Sequence, residues 1–114
     1  MSSTARRRKL PEDRLDALFH ALSDRTRRAL VTRLVQGPAM ITELAKPFAM
    51  SLPAVSRHIR VLEDSGLVAR EVDGRVHRCS LNAAPLESIQ DWLRHYRHFW
   101  QHNLEALARH VEKP

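Results

Sequence analysis

Two helical patterns between Ile41 and Val68 constrain the fold of this chain more than any other feature. In the first pattern, apolar residues recur at helical spacing until Pro47, which a helix interior does not tolerate. In the second, Val55, Ile59 and Leu62 lie at helical spacing and form one apolar stripe. Two amphipathic helices joined by a short turn are typical of a helix-turn-helix.

The second of these helices has clear start and stop signals and a basic outer face. Ser51 is a helix-capping residue, and Pro53 suits the first turn, where a missing N–H costs nothing. Gly66 suits the left-handed residue that ends a helix. Because a helix turns about 100° per residue, Arg57 and Arg60 lie opposite the apolar stripe. This combination is typical of DNA-binding domains.

A β-hairpin is predicted directly after Gly66. β-prone residues alternate on both sides of Asp73-Gly74, a pair that strongly favours a hairpin turn. The tip and the return strand carry the basic residues Arg70, Arg75, His77 and Arg78. A basic hairpin behind such a helix is a wing, so the predicted fold is a winged helix-turn-helix.

Three segments of the chain carry a family resemblance: ALSDRTRRALVTRLVQGP, ELAKPFAMSLPAVSRHIRVLEDSGLV and DGRVHRCSLN. They resemble the ArsR family of small bacterial winged-helix repressors, from about Leu15 to the C-terminus. The most specific piece is SLPAVSRHIRVLEDSGLV, which is similar to the family's recognition helix, the helix that enters DNA. The resemblance implies a mainly α fold with a small β-hairpin, in the order α-α-α-α-β-β-α. It also implies a dimeric transcriptional repressor.

Composition agrees with a nucleic-acid partner. Lys and Arg number 19 against 13 Asp and Glu, a formal charge of +6 that suits a polyanion. We find no apolar run of membrane-spanning length and no secretory signal. The single cysteine, Cys79, cannot form an internal disulfide and suits the cytoplasm, where we expect the protein to act. Without a nucleophile–base pair or a glycine-rich loop, an enzyme is not expected.

The predicted domain organisation has three parts. Residues 1–10 form a basic tail that is expected to be disordered, and residues 11–82 form the winged domain. Its first helix is predicted over Pro11 to Leu22, and its second over Asp24 to Gln36 with Ser23 as cap. Three arginines of the second helix are predicted to point outward: Arg25, Arg27 and Arg28. Its inward residues are predicted to be Leu30, Val31, Leu34 and Val35.

Residues 83–114 are predicted to form a long helix that joins two copies of the chain. Apolar residues from Leu86 to Val111 recur at intervals close to a heptad pattern. A helix of ~28 residues is ~42 Å long, too long for a domain this small to cover, so we predict a homodimer. The first helix adds its own apolar stripe. The predicted interface consists of Leu15, Leu18, Phe19, Leu86, Ile89, Leu93, Tyr96, Trp100, Leu104 and Leu107.

A dimer with two recognition helices predicts an inverted-repeat operator in double-stranded DNA. We expect Leu52 and Pro53 to contact thymine methyls, and Ser56 and Arg57 to contact base edges. The residues expected to contact phosphates are Ser51, His58, Arg60, Arg75, His77 and Arg78. Core packing stays open for Leu52, as does a plain surface position for His58.

Many members of the resembling family release DNA on binding metal, but the ligands differ here. Cysteines of one family site correspond to Met40 and Thr42, which offer no thiolate. A site on the last helix pairs a motif like His102-x-x-Glu105 with an earlier Asp-x-His, where this chain has Ile89 and Asp91. The set is incomplete, and we expect no metal or cofactor. Two alternatives stay open: a metal-responsive repressor with an unconventional site on the last helix, and a winged-helix protein-interaction module.

Overall fold

Five helices and three short strands follow one another over residues 11–112, the part of the chain that the computed structural model describes. The helices are α1 (Pro11–Leu22), α2 (Arg25–Val35), α3 (Ile41–Ala45), α4 (Leu52–Asp64) and α5 (Leu86–Glu112). The strands are β1 (Ala39–Met40), β2 (Val68–Asp73) and β3 (Val76–Leu81). The predicted mainly α winged helix-turn-helix is confirmed, with β1 as an addition, since two residues are too few to show an alternating pattern. The predicted disordered tail, residues 1–10, lies outside the described residues.

Helix α4 buries the apolar stripe that the sequence predicts. Val55, Ile59 and Leu62 are fully buried. At the start of the helix, the hydroxyl oxygen of Ser51 accepts a hydrogen bond from the backbone N–H of Ala54 at 3.3 Å. The predicted cap and the predicted inner face of α4 are therefore both confirmed.

The end of α4 is closed by two backbone hydrogen bonds around Gly66. The N–H of Gly66 donates to the carbonyl of Glu63 at 2.9 Å, and the N–H of Leu67 donates to that of Leu62 at 3.1 Å. This pair of bonds defines a Schellman motif, which needs a left-handed residue at its centre. Gly66 has a φ of 84°, a conformation that other residues rarely adopt.

The hydrophobic core lies among α1, α2, α3, α4 and the sheet. Its buried members are Leu18, Ala21, Leu30, Leu34, Ala39, Ile41, Leu44, Val55, Ile59, Leu62, Leu67, Val68 and Cys79. Val35 was expected to point inward but is 70% exposed. The reason is that Leu30 and Leu34, four residues apart, define the inner face of α2, and Val35 is rotated about 100° away from Leu34.

Helix α2 starts one residue later than predicted, with Asp24 rather than Ser23 as its cap. The carboxylate of Asp24 accepts a hydrogen bond from the backbone N–H of Arg27 at 3.0 Å, and this bond is the main cause that lowers the pKa of Asp24. The hydroxyl of Ser23 instead donates to the carbonyl of His20 at 2.7 Å. Ser and Asp are comparable caps, so their order in the sequence does not decide between them.

The three strands form an antiparallel sheet in the order β1-β3-β2. Asp73 pairs with Val76, which leaves Gly74 and Arg75 as the hairpin turn, one position later than predicted. Gly74 has a φ of 61°, and no described residue other than glycine has a positive φ. A positive φ at the first turn residue alone matches a type II′ turn, whose twist suits a β-hairpin.

Helix α5 starts on the core and then leaves it. Leu86 and Ile89 pack against the core, and the ring of Trp92 lies 5.3 Å from the ring of Phe19 on α1. From Gln90 to Val111 every residue is exposed. No helix within residues 11–112 is both long and apolar enough to cross a membrane.

Candidate nucleic-acid interface

A groove between α4 and the β2–β3 hairpin brings together most residues that were predicted to contact DNA. It consists of two adjoining cavities of about 410 and 340 Å³, which share Ser56, Arg70 and His77. The predicted residues that line it are Leu52, Pro53, Ser56, Arg57, Arg60, Arg75 and His77. We call this surface the basic groove.

Helix α4 contributes the exposed side of the basic groove. Arg57 and Arg60 are exposed, as expected for positions opposite the buried stripe. Leu52 is 43% exposed, which contradicts the core-packing alternative for this residue. Ser51 stands at the start of the helix, where its oxygen is used as the cap. Its hydroxyl proton can still be donated to a phosphate, because a hydroxyl both donates and accepts.

The hairpin places its basic residues on two different faces. Arg75 is exposed at the turn, and His77 is half-buried on the face that lines the basic groove. Arg78 lies on the opposite face, where it pairs with Glu71 of β2 and Met40 of β1. Successive residues of a strand point to opposite faces, so Arg78 and His77 cannot line the same groove.

His58 lies on the side of α4 that faces α2, away from the residues of the basic groove. Its Nδ1 is 3.2 Å from the guanidinium of Arg27 and 3.8 Å from the carboxylate of Asp24. The longer distance is beyond hydrogen-bonding range. Because a guanidinium can only donate, Nδ1 is the acceptor in the shorter contact. His58 therefore ties α4 to α2 through Nδ1, and the phosphate contact predicted for it stays a prediction.

Arg27 and Arg28 of α2 bind the end of α1. Arg28 is exposed, as predicted, whereas Arg27 is half-buried, contrary to the prediction that it points outward. Arg27 donates to the carbonyls of Ala21 at 2.7 Å and His20 at 3.0 Å. Arg28 donates to the carbonyl of Leu22 at 2.8 Å. The last carbonyls of a helix have no hydrogen-bond partner within that helix. The two arginine side chains therefore donate to carbonyls at the C-terminal end of α1. Residue spacing does not reveal such contacts.

Arg70 is the groove residue whose position the sequence prediction missed. We expected it among the basic residues of the wing tip, but its side chain is only 14% exposed and its Nη2 lies 2.7 Å from Glu63 Oε1. The alternation of β2 places Arg70 on the same face as Val68, so a signal was present in the sequence. Cys79, its partner across the sheet, is buried, and this burial raises the pKa of its thiol.

Metal ligands do not gather in the described part of the chain. Among residues 11–112, no three His, Cys, Asp or Glu side chains form a group that could hold a metal ion. Asp91, one of the three residues of the incomplete set on α5, forms an ion pair with Arg94.

Comparisons with known proteins agree with this geometry. The model of a helix-turn-helix domain family matches residues 22–71. The HTH-type transcriptional regulator Rv2034 of Mycobacterium tuberculosis is 35% identical over 97 residues, which covers 85% of this chain and 88% of that protein. The crystal structure of an ArsR family transcriptional regulator has a TM-score of 0.75 and 43% identity, over 82% of this chain and 95% of that one. The chain belongs to the ArsR family of transcriptional regulators.

The family assignment confirms the resemblance found in the sequence. This ArsR-family chain is a transcriptional regulator with a helix-turn-helix DNA-binding domain, and not an enzyme. The arsenical resistance operon repressor of Staphylococcus aureus is 33% identical over 75 residues, which covers 66% of this chain and 72% of that repressor.

Proposed function

We propose that this ArsR-family regulator is a homodimeric repressor that binds an inverted repeat in double-stranded DNA. The observation that carries the proposal is the basic groove, where exposed arginines from two elements line one surface: Arg57 and Arg60 from α4, and Arg75 from the hairpin. A helix in the major groove with a wing on the adjacent backbone uses both elements at once. A protein-interaction module gives no reason for these charges to converge.

Within each subunit, the entrance of α4 would contact bases and the surrounding residues would contact phosphates. Leu52 and Pro53 are exposed apolar groups of the kind that contact thymine methyls. Ser56 and Arg57 follow on the same side of α4, and Arg57 can form the two hydrogen bonds that distinguish guanine. Phosphate contacts fall to Ser51, Arg60, Arg75 and His77, with Arg78 as an outer contact from the far face of the hairpin.

The dimer would form through α5, whose apolar face is exposed. The side chains of Trp100, Leu104 and Leu107 are 61%, 59% and 58% exposed. A contiguous apolar surface of this kind marks an interaction site, and a second copy offers the same heptad-like stripe. Because Phe19 and Trp92 are in contact, the interface would extend onto α1.

The predicted interface needs one revision. Leu18 is 1% exposed and belongs to the core of the subunit, so it has no surface left for a partner. The aromatic residues Trp92 and Phe99 are 37% and 59% exposed and extend the apolar face of α5 instead. The revised interface keeps Leu15, Phe19, Leu86, Ile89, Leu93, Tyr96, Trp100, Leu104 and Leu107.

The two parts of the chain would then have separate tasks. Residues 11–82 would bind one half-site, and residues 83–114 would hold two such domains ~34–36 Å apart, one turn of DNA. Repression follows if the operator overlaps a promoter, and a small repressor of this type often controls its own gene. The protein would act in the cytoplasm, where bacterial DNA is found.

A footprint on the DNA upstream of the protein's own gene tests the proposal. We expect protection of an inverted repeat, and binding to that repeat roughly 10³-fold tighter than to a scrambled duplex at the same salt concentration. Titrations at several salt concentrations should show affinity falling steeply with salt. Equal binding to the repeat and the scrambled duplex would contradict the repressor function and favour a protein-interaction module.

A further inference from the structure

Arg70 lies on the floor of the basic groove, between α4 and the hairpin. It occupies the inner face of β2, opposite Cys79 of β3, and its side chain is only 14% exposed. The outer part of the hairpin, residues 71–76, is exposed throughout. A two-stranded hairpin is only marginally stable by itself, so the orientation of this hairpin depends on contacts between its base and the rest of the domain.

The guanidinium of Arg70 is occupied by partners within the protein. Nη2 lies 2.7 Å from Oε1 of Glu63, in the last turns of α4. Nη1 lies 3.3 Å from Nδ1 of His77 on β3. Since a guanidinium can only donate, Nδ1 of His77 accepts this bond. Nε is buried and has no hydrogen-bond partner among the described residues, so it is not accessible to DNA either.

We propose that Arg70 is a positioning residue that holds the wing at a set distance from the recognition helix through Glu63, an inference that rests on the proposed DNA binding. One side chain from β2 contacts both α4 and β3, and thereby joins the two elements that line the basic groove. Without this contact, Arg75 and His77 would be held less firmly beside the phosphates they are proposed to contact.

If Arg70 instead contacts DNA directly, removing Glu63 should change the DNA affinity in the opposite direction. Glu63 is an acidic residue in a groove that would face a polyanion. If it acted only through its charge, its removal would strengthen DNA binding. If it positions the wing through Arg70, its removal weakens DNA binding although a negative charge is lost.

The experiment compares Glu63→Ala, Arg70→Met and the double variant, with Asp64→Ala as the matched control. Asp64 lines the same cavity, so the control removes the same charge but leaves the Arg70–Glu63 pair intact. We expect Glu63→Ala and Arg70→Met each to weaken operator binding about tenfold, and the double variant to be little worse than either. Asp64→Ala should bind as well as the unchanged protein or slightly better. The dependence of affinity on salt should stay near that of the unchanged protein in all four.

Two results of these DNA titrations would overturn the proposal. One is that Glu63→Ala binds the operator as tightly as Asp64→Ala. The other is that Arg70→Met reduces the salt dependence of binding by about one phosphate contact. Glu63 is partly exposed, so its replacement tests the proposal even if Arg70→Met does not fold.

A measurement without DNA separates this proposal from the proposed function. Backbone amides of residues 71–76 should exchange hydrogen faster in Glu63→Ala than in Asp64→Ala. If exchange responds in this way but the unchanged protein shows no operator preference, the proposed function fails and the positioning contact stands. Equal exchange in the two variants would overturn the positioning role whatever the DNA result.

Discussion

Helices α4 and α5 carry the same kind of amphipathic pattern but find the partner of their apolar face in different places. In α4, Val55, Ile59 and Leu62 are fully buried within the subunit. In α5, the corresponding face is exposed from Gln90 to Val111. Hydrophobic spacing identifies the side of a helix that needs a partner, but not whether that partner belongs to the same chain.

The difference separates folding from assembly. Burying a leucine-sized side chain contributes about 1.5–3 kcal/mol, and in α4 this contribution goes to the stability of the subunit. In the outer part of α5 the same contribution is available only on association. Substitutions on the apolar face of α5 should therefore change the oligomeric state before they change the fold.

The largest expected effect comes from a charge placed on the apolar face of α5. Trp100→Glu should give a folded monomer, because Trp100 is 61% exposed in the subunit. Operator affinity should fall roughly 10²-fold or more, since two linked half-site domains bind with an avidity that one lacks. Sedimentation and operator titration measure both effects. As the control, His98→Glu adds a charge about 200° around the helix from Trp100 and should remain dimeric. A dimer that survives Trp100→Glu would place the interface elsewhere.

The outer face of α4 is tested by Arg57→Ala. The substitution should cost on the order of 1–3 kcal/mol on the operator and relax the preference at one base pair per half-site, because a base contact carries sequence information. Arg14→Ala, an exposed arginine on α1, serves as the control and should preserve the base preference. Titration against operators changed at single positions provides the measurement. A uniform loss on all sequences would reassign Arg57 to a phosphate.

How far the sequence predicts this molecule depends on whether a feature is local. The cap at Ser51, the stripe of α4 and the stop at Gly66 depend on neighbouring residues, and all three are confirmed. The turn at Gly74 and Arg75 depends on how β2 and β3 pair, and was predicted one residue too early.

The polar contacts between elements were the least predictable part. Arg27 and His58 meet across α2 and α4, which are distant in sequence, and no periodic pattern marks such a pair. Arg70 is different, because strand alternation already places it on the inner face of β2. The prediction that grouped Arg70 with Arg75 at the tip of the wing did not take this alternation into account.

Substitutions on the two faces of the hairpin should have a smaller effect on operator affinity. Arg75→Ala should weaken binding to all sequences alike and reduce the slope of log affinity against log salt by roughly 0.9, the loss of one phosphate contact. Arg78→Ala removes the same charge from the opposite face and should change the slope less. Titrations of both variants on operator and scrambled duplexes decide between the faces. An equal loss of slope in the two would show that Arg78 contacts phosphate as fully as Arg75 does.

The smallest expected effect concerns metals on α5. Within one subunit the described residues form no metal-binding group, and Met40 and Thr42 offer no thiolate. A ligand shifts the DNA equilibrium only if it binds the free and DNA-bound conformations with different affinity. Scattered surface histidines, present alike in both conformations, would not meet that condition, so micromolar zinc, nickel, cadmium or arsenite should leave operator affinity nearly unchanged.

The proposed dimer offers the strongest challenge to this expectation, because two α5 helices could bring together ligands that one helix holds apart. Asp91 of one subunit with His102 and Glu105 of the other would supply three ligands, fewer than the four of a closed zinc site. The test is an operator titration with and without each metal, for the unchanged protein and for the double variant His102→Ala/Glu105→Ala. A tenfold loss of affinity with one metal that the double substitution removes would contradict the prediction. Helix α5 would then serve regulation as well as assembly.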